Sequence, residues 1–293
     1  MLPTSYSMKE KQIDWDTMII DSHQHFWQLS RGDYPWPDES VMPIFRDFGP
    51  NDLKPLLAET GVKGTVLVQA TDTAAETEFL LRLAGKTDFV CGVVGWLDFS
   101  SEDVVETIDR LRSNFALKGF RPMLQNIEKT DWILQDAQKI GLSHMEKNRL
   151  CFDALIQPRH LSTLNQLAKR YPDLPIVIDH VAKPKPEKNH LPPETWMNGI
   201  KALATRQNVF CKLSGMVTEI GTDWTYDDVA PTADFILATF GSDRVMFGSD
   251  WPVVNLASDY ATWWQTVQKL IAPLSPSQKQ AVLGGNAQRF YRL

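Results

Sequence analysis

The chain has 293 residues, of which 43% are apolar and 10% aromatic, so it can bury a substantial core and exceeds the common domain size of about 100–150 residues. Its formal net charge is -6, and its Lys and Arg residues are scattered, which argues against a nucleic-acid partner. The sequence shows neither a run of eighteen apolar residues nor the apolar core of a signal peptide. We therefore expect a cytoplasmic protein with no membrane partner.

The three cysteines, Cys91, Cys151 and Cys211, are far apart in the sequence and odd in number. Each lies beside the start of an apolar run. This placement favours buried reduced thiols over a disulfide framework or a zinc knuckle.

Eight short runs rich in Val, Ile and Phe predict β-strands. The runs lack a clean alternation of inward and outward residues, which is typical of strands covered on both faces. In chain order they are residues 18–20, 64–70, 89–97, 117–124, 151–157, 175–180, 209–215 and 244–250.

A segment with helical spacing of apolar residues follows each of these runs. In chain order the segments are residues 52–61, 74–85, 101–115, 131–148, 159–172, 194–208, 226–241 and 258–271. We expect Asn51 and Ser101 to cap the first and third helices, and Gly61 and Gly241 to end the first and seventh.

Alternating strands and helices predict an α/β fold with a parallel sheet, and eight such units match a closed (β/α)₈ TIM barrel. The alternative is a doubly wound open sheet, but no glycine-rich phosphate turn follows an early strand. We expect one domain over residues 18–293, after an N-terminal extension at 1–17 that could pack on a neighbour in a homo-oligomer. Residues 32–50 are too long and proline-rich for a simple turn, and we expect them to form a loop over the site.

In such a barrel the functional side chains lie at the C-terminal ends of the strands. Several of the predicted strand ends carry polar or ionisable residues. In strand order these ends give His23 and His25, Gln69, Trp96 and Asp98, Arg121, Gln157, then Asp179, His180 and Lys183, then Ser214, then Asp250 and Trp251.

The first of these ends is the stretch "DSHQHFW", residues 21–27. Because residues two apart on a strand share a face, His23 and His25 should point the same way as Asp21, with Gln24 pointing away. Two imidazoles there could bind a divalent ion or jointly hold a water. The alternative is that one histidine only hydrogen-bonds a neighbouring loop.

Asp250, in "FGSDWPV", follows an apolar strand. A carboxylate at that depth needs a partner, and it could act as a general base on a water that attacks a carbonyl. The alternative is a capping role in the loop that follows.

Other charged residues and histidines also carry predictions. We expect Asp179 to face outward as a structural acceptor, and Arg121 and Lys183 to bind an anion or hydroxyl groups rather than remain solvated. His144, His160 and His190 are predicted to lie at the surface.

Six motifs resemble those of the amidohydrolase superfamily, and more narrowly of its sugar-acid lactonase branch, which includes fuconolactonase, rhamnonolactonase and 2-pyrone-4,6-dicarboxylate lactonase. They are "DSHQHFW", "GDYPW", "KGFRPMLQ", "DHVAKP", "FGSDWPV" and the C-terminal "GNAQRFYRL". The similarity spans residues 18–293.

The resemblance implies a catalytic set of Asp250, His23, His25 and His180, in which Asp250 activates a water and the histidines position it or polarise the carbonyl. It further implies that Gln69, Arg121 and Lys183 bind substrate oxygens, and that the Trp27 and Trp251 side chains pack against the sugar ring.

The resemblance also bears on metals. Binuclear superfamily members carry a carboxylated lysine on the fourth strand and a histidine on the fifth, where this chain has Arg121 and Gln157. We therefore expect no required cofactor, or one weakly bound divalent ion, zinc or manganese, on His23, His25 and Asp250.

The substrate expected from the resemblance is a neutral fucono-, rhamnono- or galactono-lactone, because only Arg121, and Arg31 in the first loop, could pair with a dicarboxylate. Lys183 stands where the pyrone enzyme carries arginine. A pyrone-dicarboxylate lactonase, a mononuclear zinc-dependent decarboxylase or amidohydrolase, and a non-enzymatic binding barrel remain alternatives.

Overall fold

Eight parallel strands, hydrogen-bonded in sequence order, form the centre of the molecule. The structure is a computed structural model that describes residues 18–185 and 190–293; the predicted extension at 1–17 lies outside these ranges. The strands are β1 (Ile20–Gln24), β2 (Gly64–Val68), β3 (Val90–Gly95), β4 (Leu117–Phe120), β5 (Cys151–Ala154), β6 (Ile176–Ile178), β7 (Val209–Leu213) and β8 (Val245–Phe247).

A helix follows every strand, which confirms the predicted (β/α)₈ barrel. In chain order the helices are α1 (Pro50–Thr60), α2 (Ala74–Ala84), α3 (Val104–Arg112), α4 (Lys139–Lys147), α5 (Leu161–Arg170), α6 (Glu194–Ala204), α7 (Tyr226–Phe240) and α8 (Tyr260–Leu270), with α9 (Pro276–Gln280) and α10 (Asn286–Tyr291) after them.

The helix ends agree with the sequence prediction at glycines and disagree at the predicted caps. Gly61 and Gly241 follow α1 and α7 with φ of 75° and 73°, values that glycine adopts without strain. Asn51 is not a cap, because Pro50 occupies the first helical position and Gly49 precedes it. Ser101 lies three residues before α3 and donates its hydroxyl to Asp103 instead.

The barrel closes through backbone hydrogen bonds that join the C-terminal end of β1 to the residues just past β8. The Asp250 amide donates to the His23 carbonyl at 2.8 Å, and the His25 amide donates to the Trp251 carbonyl at 2.7 Å. Gln24 and Trp251 form a parallel bridge at the same place. This seam brings the first and last candidate site residues together.

Two apolar clusters stabilise the barrel. The larger cluster lies between the sheet and the surrounding helices. The smaller one contains inward residues of the strands, such as Val66 and Val177, together with Phe290 and Tyr291 of α10. The C-terminal helix therefore packs into the barrel end opposite the strand termini that carry the site.

The first loop packs toward those termini, as predicted for residues 32–50. Thr71 Oγ1 donates to the Asp33 carbonyl at 2.8 Å, and Thr73 Oγ1 donates to its carboxylate at 3.0 Å. These bonds fix the loop on the segment after β2.

Cys151 and Cys211 are buried free thiols, as expected, and Cys91 is half-buried and free. Among the described helices, none is long and apolar enough to cross a membrane. The oligomeric state and the cytoplasmic location stay predictions.

Candidate active site

His23, His25 and Asp250 meet at the closing seam of the barrel. Asp250 Oδ1 lies 3.2 Å from His25 Nε2 and 3.7 Å from His23 Nε2, and the two Nε2 atoms are 3.2 Å apart. The exposed fraction of each residue is 4% or less. The predicted convergence of these side chains is therefore present in the structure.

Asp21 does not share their face, which corrects the strand-alternation argument. Its carboxylate accepts hydrogen bonds from the Ser249 amide at 2.8 Å and the Tyr260 hydroxyl at 3.2 Å, on the side of α8. The register between β1 and β2 shifts between Asp21 and Gln24. Such an irregularity breaks the two-residue alternation, so Asp21 and His23 point differently.

His180 reaches the same site from β6 through an unusual backbone turn. His180, Val181, Ala182 and Lys183 have φ between 46° and 61°, a region that costs non-glycine residues about 1–3 kcal/mol each. The turn brings His180 Nε2 to 3.8 Å from Asp250 Oδ1.

Ser214 and Gly215, just past β7, hold the other side of the His180 ring. His180 Nδ1 is 2.9 Å from Ser214 Oγ. A Cβ atom at Gly215 would overlap the ring, so this position requires glycine. The predicted contribution of Ser214 to the site is therefore a hydrogen bond to a histidine.

Arg121 enters the site from β4. Its Nη1 lies 3.3 Å from His23 Nε2 and 3.4 Å from Asp179 Oδ2, and its Nη2 donates to the Gln69 carbonyl. Gln69 Nε2 in turn donates to the Arg121 carbonyl at 2.7 Å, and the exposed fraction of Gln69 is 0%. Gln69 thus supports Arg121 rather than lining the pocket.

Beneath His23 lies a buried ionic group that the sequence interpretation missed. Lys212 Nζ is 2.6 Å from Asp153 Oδ2, 3.0 Å from Asp179 Oδ1 and 3.0 Å from His23 Nδ1. Asp153, Asp179 and Lys212 all have exposed fractions of 0%, so the prediction that Asp179 faces outward is wrong. The sequence signal was a charged residue within each of two apolar strands, "CFDALIQ" and "VFCKLSG".

The buried charges shift the pKa values of the site. For Asp250, burial opposes ionisation, but the nearby His180 and then His25 outweigh it and lower the pKa. Burial lowers the pKa of His180 to about 4, against the pull of Asp250. Burial and then Lys212 lower the pKa of His23 well below its usual range. At neutral pH the site therefore holds an ionised Asp250 and neutral His23 and His180.

A cavity of about 370 Å³ opens onto these groups. Of the predicted residues, His25, Arg121, His180, Lys183 and Asp250 line it. Lining residues that the sequence interpretation did not single out include Trp36, Asp72, Met123, Gln125, Asn126 and Leu155.

Trp27 and Trp251 do not wall this cavity, which corrects that part of the prediction. Their exposed fractions are 1% and 2%, and both rings pack against Phe48, at centroid distances of 5.5 and 5.2 Å. The Trp27 indole nitrogen donates to the Arg46 carbonyl at 2.7 Å. Trp36, whose ring contacts Trp27 edge-on, lines the cavity instead.

Other predicted rim residues lie away from the described cavity. Asp98 is exposed, and its carboxylate accepts a hydrogen bond from the Ser100 amide. The Trp96 backbone amide donates to Thr77 Oγ1. The Gln157 side chain accepts from Arg159 at 3.2 Å.

Of the histidines assigned to the surface, His190 is exposed and His144 is half-buried. His160 has an exposed fraction of only 2%, because its Nδ1 accepts from the Gln157 amide at the start of a helix.

A family model described as amidohydrolase matches residues 20–293. The chain belongs to the amidohydrolase family.

This amidohydrolase is similar to proteins named L-fucono-1,5-lactonase. The chain is 43% identical over 281 residues to an L-fucono-1,5-lactonase of Burkholderia ambifaria, and the alignment covers 94% of this chain and 96% of the relative. The chain is 33% identical over 286 residues to an L-fucono-1,5-lactonase of Burkholderia multivorans, and the alignment again covers 94% of this chain and 96% of the relative. A crystal structure of a Burkholderia multivorans amidohydrolase with bound zinc superposes with a TM-score of 0.88 at 33% identity, covering 94% of this chain and 99% of that one.

The donor atoms of this amidohydrolase fit one divalent ion. His23, His25 and Asp250 offer two imidazole nitrogens and a carboxylate oxygen 3.2–3.7 Å apart, near the ~3.3 Å edge of a tetrahedron with ligand distances of about 2.0–2.1 Å. His25 Nδ1 lies 2.8 Å from the Val68 carbonyl, a contact that places the proton on Nδ1 and leaves Nε2 free as a ligand. Three ligands with an open fourth position are typical of a catalytic zinc site.

Proposed function

We propose that this amidohydrolase hydrolyses the lactone ring of a neutral, polyhydroxylated sugar acid of the L-fucono-1,5-lactone type. The observation that carries the proposal is an ionised, buried Asp250 among three imidazoles at the base of a 370 Å³ cavity. The two relatives named L-fucono-1,5-lactonase supply the substrate class.

Asp250 takes the proton from a water as the water oxygen attacks the lactone carbonyl carbon. The carbonyl oxygen gains negative charge, the bond from carbon to the ring oxygen breaks, and the departing ring oxygen receives the proton. The product is the open hydroxy acid. Asp250 is a weak base because its pKa is lowered, so the attack benefits from strong stabilisation of the developing oxyanion.

Arg121 is the cation best placed for that stabilisation. Its guanidinium lines the cavity and lies 3.3 Å from His23 Nε2, and its N–H groups can donate to an oxygen. His25 and His180 flank Asp250 and hold the attacking water beside the carboxylate.

His23, His25 and Asp250 would hold a divalent ion if one binds. Such an ion would supply Lewis-acid polarisation of the carbonyl or acidification of a water. The bound zinc in the Burkholderia multivorans structure supports a test with and without metal.

The charges on the cavity wall favour a neutral substrate. Lys183 Nζ already pairs with Glu219 at 3.1 Å, and Arg121 with Asp179 at 3.4 Å. Asp72 adds a negative charge to the lining. A dicarboxylate would therefore meet cations that are already paired.

A lactone panel tests the proposal. The purified protein would be assayed by proton release on L-fucono-, L-rhamnono- and L-galactono-lactones and on 2-pyrone-4,6-dicarboxylate, with chelator and with added zinc or manganese. We expect a kcat/KM of about 10⁴ M⁻¹s⁻¹ or more on a neutral lactone. Activity on the dicarboxylate alone, or on none of the lactones, would contradict the proposal.

A further inference from the structure

His23 lies between the cavity and the buried ionic group, and its two ring nitrogens face different surroundings. Nε2 faces His25 Nε2 at 3.2 Å and Asp250 Oδ1 at 3.7 Å. Nδ1 faces Lys212 Nζ at 3.0 Å and Asp179 Oδ1 at 3.3 Å. The ring itself has an exposed fraction of 0%, so these contacts decide where its proton sits.

A neutral imidazole carries one donor and one acceptor, whereas an ammonium group can only donate. Lys212 makes well-aligned hydrogen bonds to Asp153 Oδ2 and to His23 Nδ1. Two buried carboxylates, Asp153 and Asp179, lie 2.6 and 3.0 Å from Lys212 Nζ and pair with it as an ammonium. An Nδ1 atom that accepts from Lys212 has no proton, and the ring proton must lie on Nε2.

The contact between Arg121 Nη1 and His23 Nε2 is weaker, at 3.3 Å. The guanidinium donates to the Gln69 carbonyl and lies near the Asp179 carboxylate, so it has other acceptors. The Lys212 ammonium has three hydrogens and three neighbours within 3.0 Å, namely Asp153 Oδ2, Asp179 Oδ1 and His23 Nδ1. Because Lys212 has an exposed fraction of 0%, no solvent replaces the His23 contact. The Lys212 contact therefore determines the tautomer.

In the opposite tautomer of His23 the proton lies on Nδ1, and Asp179 Oδ1 is the atom placed to accept it. Within residues 18–185 and 190–293, this buried oxygen accepts no well-aligned hydrogen bond, although Lys212 Nζ lies 3.0 Å and His23 Nδ1 3.3 Å from it. A proton on Nδ1 would point at it and leave the Nε2 lone pair free. A carboxylate behind the ring is the arrangement that orients metal-binding histidines.

We propose that Lys212 is a positioning residue that holds His23 with its proton on Nε2, as a donor toward His25 Nε2 and Asp250, and that Asp179 accepts the Nδ1 proton when Nε2 binds a divalent ion. The effect of this donor on lactone hydrolysis rests on the proposed function; the tautomer does not. The His23 ring thus has a defined acceptor for its proton in either tautomer.

The tautomer can be measured by NMR on metal-free protein labelled with ¹⁵N-histidine, because protonated and unprotonated ring nitrogens give distinct couplings and shifts. The His23→Gln variant assigns the His23 signals. We expect the proton on Nε2 in the metal-free protein and on Nδ1 after zinc is added. A metal-free ring protonated on Nδ1 would overturn the proposal, whatever the lactone panel shows.

The Lys212→Met variant tests whether Lys212 determines the His23 tautomer. We expect its metal-free His23 to move to the Nδ1-protonated form and its kcat to fall about 10–100-fold with a smaller change in KM. Lys183→Met, which removes a different lysine near the cavity, should leave the tautomer unchanged. Retention of the Nε2 proton in Lys212→Met would contradict the role of Lys212. If that variant does not fold, the wild-type spectra still decide the tautomer.

Discussion

Arg121 links the cavity to the barrel interior. Its guanidinium contacts His23, Asp179 and the Gln69 carbonyl while lining the cavity. The planar fork of arginine donates in several fixed directions at once, which a lysine ammonium cannot reproduce. We therefore assign Arg121 both a charge and an orienting role.

Substitution of Arg121 should separate these two roles. We expect Arg121→Lys, which keeps the charge, to lower kcat/KM about 10²-fold on the best lactone, and Arg121→Met to lower it about 10³-fold. Arg82→Lys, on an exposed face of α2, is the control and should have no effect. If Arg121→Lys matched the wild type, the fork geometry would be irrelevant.

The sequence could predict the site where barrel topology alone places the residues. His23, His25, Arg121, His180 and Asp250 converge because all lie at or just past the C-terminal ends of parallel strands. The ionic group of Asp153, Asp179 and Lys212 could not be predicted in this way. Each residue looks anomalous in its own strand, and the partners that make burial tolerable come from other strands.

At the scale of elements, Glu76 of α2 ties the first two loops to the barrel. Its carboxylate accepts from the Ala70 amide at 3.0 Å and from the Thr71 amide at 3.0 Å, while Thr71 holds Asp33 of the first loop. Glu76 has an exposed fraction of 0%. Burial raises its pKa from 4.5 to about 7, although the two amides oppose the shift.

This shift predicts a pH dependence of stability. The raised pKa means that ionised Glu76 costs stability above about pH 7, and that this cost disappears as the pH falls toward 4.5. We expect the free energy of unfolding of Glu76→Gln, relative to wild type, to rise by about 3 kcal/mol between pH 4.5 and 8. Urea unfolding of both proteins at several pH values measures it. A pH-independent difference would contradict the raised pKa.

The order and type of the elements could be predicted, but their ends could not. Apolar runs and helical spacing identify all eight units, because each unit buries its own apolar residues. Seven of the predicted strand runs extend past the observed strands, as at β6, where the backbone turns left-handed after Ile178. The first strand instead extends beyond its run through the polar residues 21–24, because the closing seam buries them.

At the scale of the whole molecule, one end of the barrel carries the cavity and the other end is closely packed. The C-terminal helix α10 fills the packed end: the Phe290 ring lies 5.0 Å from that of Phe210, and the Tyr291 hydroxyl donates to Asp153 at 2.7 Å. The C-terminus therefore supports the same ionic group that contacts His23.

Removal of the Phe290 ring should destabilise the whole barrel. Phe290 has an exposed fraction of 5%, so Phe290→Ala should lower the free energy of unfolding by about 3–5 kcal/mol. Phe115, with an exposed fraction of 94%, offers the matched control, for which we expect a change within about 0.5 kcal/mol. Equal chemical denaturation midpoints for the two variants would show that α10 does not stabilise the barrel.

The central claim is that the seam carboxylate of Asp250 performs lactone hydrolysis. Its most direct test is kcat/KM on L-fucono-1,5-lactone for Asp250→Asn, with Asp98→Asn as the control at another strand end. We predict a loss of about 10³-fold for Asp250→Asn, the scale of a general base, and a change within about 2-fold for the exposed Asp98→Asn. Wild-type kcat/KM in folded Asp250→Asn would contradict the claim.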